Sequence, residues 1–246
     1  MTSTHSDAAR SQSRDSKRFI AKNSSRYHLE RLNEAFAKAA DPGMRVLDAG
    51  AGTQPYRHLF VHLHYESADF GKVEKAYAPS DYICDLADIP VEDGRFDRII
   101  FNQVLEHVPD PVKVLTELRR VLKPGGKILC SCPLFYEEHE KPYDYYRYTQ
   151  FSLRLLFEKA GYRVDEIAWV EGYFGTVAYQ FRRMAKFLPL FPPKGVPILA
   201  YPLWPFVMMT KLAAKPLFVL FNWIDRDYKY SRRGYPINYA VIATAI

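Results

Sequence analysis

The run Val46-Leu47-Asp48-Ala49-Gly50-Ala51-Gly52-Thr53 constrains this chain more than any other segment. An apolar strand-like stretch ends on an acid. Two residues later a Gly-x-Gly pair turns the backbone toward a segment able to open a helix. Glycine lets backbone approach a ligand where a Cβ would clash. A helix start presents N–H groups that have no partner inside the helix, which suits a carboxylate. With an acid beside such a turn, the arrangement suits a cofactor with a cationic, amino-acid-like end. The dinucleotide fingerprint G-x-G-x-x-G would need glycine at position 55, and Pro55 stands there.

Further motifs follow in order. Asp69 closes a second strand-like stretch, Tyr65-Glu66-Ser67-Ala68-Asp69-Phe70, 21 positions after Asp48. Doubly wound folds read a ribose hydroxyl pair with an acid at about that remove. Then come Cys84-Asp85-Leu86-Ala87-Asp88-Ile89-Pro90, Phe96-Asp97-Arg98-Ile99-Ile100-Phe101-Asn102, Leu105-Glu106-His107-Val108 and Leu122-Lys123-Pro124-Gly125-Gly126-Lys127. Together they resemble the class I S-adenosylmethionine-dependent methyltransferases. The likeness is to the small-molecule branch with a Glu-His pair after the fourth strand, similar to the type 11 methyltransferase domain. It covers residues 25–172 and the last strand. It implies a transferase whose cofactor is S-adenosyl-L-methionine. By the same resemblance Asp48, Gly50 and Gly52 shape the methionine pocket, and Asp69 accepts from the ribose hydroxyls. Asp85 and Leu86 lie by the adenine, with Asp85 accepting from its amino group, and Asn102 and Gln103 face the methionine end. One departure is Gln54, where many members carry a third glycine.

Strands are expected at 45–48, 64–69, 82–85, 96–102, 127–132, 162–170 and 239–246, and helices at 56–63, 111–122 and 149–160. A further helix follows Asn23-Ser24-Ser25, with Leu29, Leu32, Phe36 and Ala39 at helical spacing. Alternating strands and helices predict an α/β fold: a doubly wound, mostly parallel sheet. The resemblance makes it seven-stranded and Rossmann-like, with the last strand antiparallel between the fifth and sixth. Residues 1–22 are polar and read as a disordered tail, 23–172 as the core and 233–246 as its last strand.

Residues 173–232 read as a hydrophobic insertion. Residues 196–210 contain no charge, Lys211 and Lys215 follow, and 216–224 are apolar again. Pro197, Pro202 and Pro205 argue against a conventional membrane-spanning helix. A cap over the active site, a homodimer face or a segment lying in a membrane interface all fit the composition.

The formal charge of +6 is concentrated near the amino terminus (Arg10, Arg14, Lys17, Arg18, Lys22, Arg26) and in the insertion and its flank (Lys211, Lys215, Arg226, Lys229, Arg232, Arg233). Such patches suit an anionic surface or are plain solvated faces. Three cysteines in core-like strands point to a reducing compartment. The first 22 residues lack an apolar signal core, so a cytoplasmic protein is expected, peripheral at the inner face of the membrane if the insertion touches it.

His107, just beyond the fourth strand, is the candidate general base, since imidazole titrates near neutral pH. The stretch after the fifth strand, residues 133–149, mixes acids, His139, Arg147 and five tyrosines. Tyrosine offers flat apolar surface with a hydroxyl, which suits a sugar or aromatic acceptor. His139, Tyr146 and Arg147 are the candidate acceptor-binding residues. Its pattern resembles methyltransferases of bacterial surface-polysaccharide pathways. Glu137, Glu138 and His139 are metal-ligand types, but three adjacent residues rarely converge, and no metal is expected. The expected reaction is O-methylation of a small-molecule or glycan acceptor. The rivals are a membrane-associated quinone or lipid methyltransferase and an inactive cofactor-binding scaffold. The intact Asp48, Asp69, Asp85 and His107 argue against the scaffold. No nucleic-acid partner is expected: the acceptor loop lacks a cationic groove, and Asn102-Gln103-Val104-Leu105 replaces the Asn-Pro-Pro-Tyr-type signature.

Overall fold

The computed structural model describes residues 24–71 and 78–246. The expected tail and its basic residues through Lys22 lie outside that range. The chain forms two compact units. One holds residues 28–170 and 237–246, and the other holds residues 171–236 with the described residues before His28.

The larger unit contains helix α1 (Ser24–Lys38, less its first residues), β1 (Arg45–Ala49), β2 (His64–Asp69), β3 (Tyr82–Ile83), β4 (Phe96–Asn102), α2 (Pro111–Val121), β5 (Leu122–Pro133), α3 (Gln150–Lys159), β6 (Tyr162–Trp169) and β7 (Asn238–Ala245). The seven strands run in the order β3-β2-β1-β4-β5-β7-β6. Only β7 is antiparallel, paired with β5 on one side and β6 on the other. This is the class I arrangement that the motif order implied.

Alternation along the central strands divides the core between two faces. Val46, Ile100 and Leu129 pack with Phe36 and Ala37 of α1. Leu47, Ile99, Phe101 and Ile128 pack with Val114, Leu115 and Leu118 of α2 and with Leu153 and Phe157 of α3. Central strands covered on both faces carry continuous apolar runs, as Ile99-Ile100-Phe101 does. Asp110 caps α2 by accepting from the Lys113 N–H (3.1 Å), with Pro111 in the first turn. Thr149 and Ser152 form a reciprocal capping box at α3. Arg98 of β4 donates to the Phe36 and Ala39 carbonyls, satisfying the end of α1.

Three expectations need correcting. The helix expected over 56–63 is a single 3-10 turn, Arg57–Leu59. Gly52 and Gln54 both take left-handed backbone (φ +50° and +53°), and isolated i→i+3 bonds follow. The buried Phe60 and Leu63 follow that turn and are joined by a Leu63 N–H to Phe60 carbonyl bond (3.0 Å). β3 stops at Ile83 because the Asp85 carboxylate takes the Ala87 N–H (2.9 Å), an Asx turn. β5 begins at Leu122 directly after α2, and the irregular register between Phe96 and Arg98 absorbs Pro124-Gly125-Gly126.

The smaller unit pairs α4 (Tyr173–Phe187) with α5 (Trp204–Asp227), the latter preceded by a 3-10 turn, Ile198–Leu203. Phe221 of α5 meets Phe174 (5.8 Å) and Phe181 (5.4 Å) of α4. The fully buried Asp225 accepts from the Gly172 N–H (3.1 Å) at the amino end of α4. Residues 204–210 of the first apolar run and the whole of the second lie on one continuous helix. Pro205 lies in its first turn, where proline is tolerated, and Pro216 is accommodated inside it. Residues 198–227 are long and apolar enough to cross a membrane by length and composition, and within α5 the buried residues are Ala214, Asn222 and Asp225.

Candidate active site

The candidate residues gather at the carboxyl ends of β1, β2, β4 and β5, the edge at which open α/β sheets bind ligands. At β1 the backbone turns at Gly50 (φ +71°), whose N–H bonds to the Ala68 carbonyl (2.8 Å). A Cβ on Gly50 would come within 2.4 Å of Val104, so only glycine lets the β1 and β4 turns close on each other. Gln54 holds the left-handed conformation that glycine takes freely. Its amide donates to the Pro79 carbonyl (2.8 Å) and accepts from Arg57 (2.9 Å), which ties the turn down.

Two acids stand beside this turn. Asp69 accepts from the Gly52 N–H (2.8 Å) through one carboxylate oxygen and from the Gly71 N–H (3.0 Å) through the other. Each oxygen keeps a second lone pair for a further donor. Asp48 is buried and accepts from the Tyr65 hydroxyl. Burial pushes its carboxyl up to about 7, Tyr65 pulls it down, and the Asp69 charge raises it further. Among the described residues no cation lies within ion-pair distance of Asp48. A buried acid without a counter-charge fits a ligand that brings one.

The remaining candidates are placed as follows. Asp85 is exposed in the turn after β3, while Leu86 is buried in the main core. The Asn102 amide joins α1 to β5, donating to Asn33 (2.9 Å) and accepting from Ser131 (2.8 Å). Gln103 takes φ +58°, and its N–H bonds to the Ser131 carbonyl (2.7 Å). Asn102 and Gln103 thus also shape the end of β4.

His107 lies on a 3-10 turn, Leu105–His107, over which the tyrosine-rich loop folds. The Glu106 carbonyl accepts from the Tyr145 and Tyr146 N–H groups (2.9 and 3.3 Å). The Tyr146 hydroxyl donates to the Pro109 carbonyl (3.0 Å), and the Tyr148 hydroxyl to the Leu105 carbonyl (3.0 Å). The Tyr146 hydroxyl, expected to serve an acceptor, therefore fastens the loop, as that of Tyr148 does. Arg147 does the same. Its guanidinium forks Asp144 (2.7 and 2.8 Å) and donates to the Tyr136, Glu137 and Tyr146 carbonyls. A guanidinium has five N–H groups, and all five are engaged within the loop, so an acceptor would have to compete for them.

The imidazole cluster sits under this loop. His107 Nδ1 lies 2.6 Å from the Tyr143 carbonyl. A carbonyl only accepts, so Nδ1 carries the proton and Nε2 the lone pair. His139 Nδ1 faces the Glu137 carbonyl (3.1 Å), with the same consequence. The two rings meet edge to face at 4.7 Å. Glu106, fully buried, brings Oε1 to 3.7 Å from His107 Nε2 and 3.9 Å from His139 Nε2. Burial pushes the Glu106 carboxyl up to about 8 and holds the His107 imidazole below its ordinary range. Glu137 and Glu138 are exposed, so His139 converges with Glu106 and His107, not with its neighbours in sequence. Phe70, next to Asp69, meets Tyr143 edge-on at 6.3 Å, so the acid of β2 and the histidine cluster share one edge.

Sequence comparison now decides the family. Residues 19–167 match a family model described as a methyltransferase domain. The chain belongs to that family. Its members' cofactor, S-adenosyl-L-methionine, is the cofactor of this enzyme, and the buried Asp48 and the Gly50–Gly52 turn fit its cationic amino-acid end. The chain is similar to a ubiquinone/menaquinone biosynthesis C-methyltransferase of Desulfotalea psychrophila, 36% identical over 38% of this chain and 44% of that one. It is 35% identical to a demethylmenaquinone methyltransferase of Renibacterium salmoninarum over 49% and 53%. It spans about half the length of these relatives. Among solved structures, the [4+2]-cyclase SpnF shares the fold at TM-score 0.56 and 20% identity, covering 88% of this chain and 81% of that one. A phosphoethanolamine N-methyltransferase 2 of Haemonchus contortus, solved with S-adenosyl-L-methionine, does so at TM-score 0.50 and 19% identity over 87% and 52%.

Proposed function

We propose that this methyltransferase transfers the cofactor's methyl group to a hydroxyl oxygen of a small-molecule or glycan acceptor, with the acceptor proton leaving at the Glu106–His107–His139 cluster. The carrying observation is the tautomer of His107: Nδ1 donates to the Tyr143 carbonyl, so Nε2 is the basic nitrogen. Burial lowers the imidazole pKa, which keeps it neutral near pH 7 and able to take a proton. A sulfonium is already an activated leaving group, so the protein's work is alignment and proton removal. Oxygen attacks the methyl carbon, the sulfur–carbon bond breaks, and the cofactor leaves as a neutral thioether. The test is turnover with labelled cofactor in cell extracts. His107→Ala should lower turnover by about 10²–10⁴-fold with cofactor affinity nearly unchanged. Turnover should rise with pH through an imidazole pKa below the usual range and then flatten. Wild-type turnover in His107→Ala removes this residue from the chemistry.

A second reading rests on its own observation. The exposed apolar side chains of residues 198–227, among them Ile198, Leu199, Phe206, Met209, Leu212 and Trp223, support an acceptor borne by a membrane, such as a quinone or lipid-linked molecule. The relatives named for menaquinone biosynthesis support the same class. Co-sedimentation with anionic vesicles, and extraction of the labelled product into the lipid phase, would favour it. Recovery of the protein only in the supernatant would set it aside.

A further inference from the structure

We infer that Glu106, His107 and His139 form a binding site for a divalent transition-metal ion. Three acceptor groups converge there: one ligand atom from each residue lies within 4.8 Å of the others, and Glu106 Oε1 is 3.7 Å from His107 Nε2 and 3.9 Å from His139 Nε2. Both imidazoles carry their proton on Nδ1, directed at the Tyr143 and Glu137 carbonyls, so both present lone pairs to the shared point. The Glu106 side chain is fully buried, and among the described residues neither of its oxygens has a hydrogen-bond partner. Leaving a buried carboxylate so placed is costly unless a cation meets it. A proton could serve only one pair, and at 3.7 and 3.9 Å both O···N separations are too long for a hydrogen bond.

Bonds of about 2.0–2.1 Å to a common ion put neighbouring ligand atoms roughly 3.0–3.4 Å apart. The two Glu106 separations, 3.7 and 3.9 Å, need to close by about 0.3–0.9 Å, and a pair at the 4.8 Å limit by roughly 1.4–1.8 Å, which rotation of the side chains about their own bonds would supply. The surroundings match what ligating histidines use. Each donates its Nδ1–H to a carbonyl, which fixes the tautomer and the ring plane. Asp144 supports the loop at His139 further: it accepts from the His139 backbone N–H at 2.8 Å and is itself held by the Arg147 fork. Two imidazoles and one carboxylate suit Zn²⁺, Mn²⁺, Fe²⁺ or Co²⁺, whereas Mg²⁺ and Ca²⁺ favour all-oxygen sites. Three protein ligands leave coordination positions open. The ion would join the turn after β4 to the loop after β5. This revises the expectation of a metal-free protein. It rests on the proposed function only for what the ion does: an ion bound here would take up the His107 Nε2 lone pair and ease loss of the proton from an acceptor oxygen it held, whereas the ion-free cluster takes that proton on the free imidazole.

The test is a Co²⁺ titration of the full chain near pH 7.5, followed by visible absorption, with Zn²⁺ displacement as confirmation. The expected result is one site per chain, with affinity falling at least 100-fold in both Glu106→Gln and His139→Gln. Cofactor binding measured on the same samples reports that each variant is folded and keeps the methyltransferase site. No Co²⁺ bands in a wild type that binds cofactor would overturn the metal site and leave the methyltransferase reading intact. So would unchanged Co²⁺ affinity in the two variants.

Discussion

Replacing Asp48 by asparagine tests the electrostatics of the cofactor turn. The substitution keeps the shape and an acceptor for the Tyr65 hydroxyl while removing the titration. The Asp48 carboxyl is raised from 3.8 to about 7, chiefly by burial. The folded state therefore binds this proton more tightly than the unfolded state does. The resulting stability is fully present below the unfolded value and is lost as pH rises through the folded one. At about 1.36 kcal/mol per pKa unit the whole window is worth roughly 4 kcal/mol, of which about 2.5 kcal/mol falls between pH 5 and pH 8. Urea unfolding of both proteins at pH 5, 6, 7 and 8 reads the difference directly, because other groups cancel. Wild type should lose about 2.5 kcal/mol relative to Asp48→Asn across that range. A flat difference would show that Asp48 is ionised and compensated throughout, and the uncompensated buried acid offered to the cofactor's cationic end would be refuted.

Other outcomes follow from the same geometry. Asp69→Ala should weaken cofactor binding by about 1.5–3 kcal/mol in calorimetry, the range for a hydrogen bond to a charged group. Arg147→Met strands the nearly buried Asp144, whose carboxyl the guanidinium holds well below the usual carboxylate range. It should cost about 2–4 kcal/mol by urea unfolding, since Arg147 keeps a solvent-facing side, and Asp144→Asn in the same chain should recover part of that. Leu212 on α5 is 68% exposed, so Leu212→Glu should leave the unfolding free energy within about 0.5 kcal/mol. If α5 meets a membrane, the same change should reduce vesicle co-sedimentation several-fold.

The sheet was legible because its signals are local and repeated. Val46-Leu47 and Ile99-Ile100-Phe101 are apolar runs that only a strand covered on both faces would carry, and Asp110-Pro111 and Thr149 mark helix starts by their own chemistry. The segment 56–63 was misread because left-handed Gly52 and Gln54 break the helix before it, and a φ angle has no sequence signature at glutamine. The proline-interrupted run 196–210 looked short because a first-turn proline and an internal one read alike, though only the second removes a helical hydrogen bond. At the site, the acids and His107 were visible as types in order. The partnership of Glu106 with His139 was not, because it joins residues 33 apart through a loop. The five-fold engagement of Arg147 was equally hidden: sequence shows a cation and cannot count its donors.

The most direct measurement uses S-adenosylmethionine labelled with ¹³C in the methyl group, incubated with the enzyme and separate soluble and lipid extracts, and carbon NMR of the purified product. The expected product carries the labelled methyl on oxygen, and its formation falls by orders of magnitude in His107→Ala. A labelled methyl on carbon or nitrogen, formed at the same rate by both proteins, would contradict O-methylation at the histidine cluster.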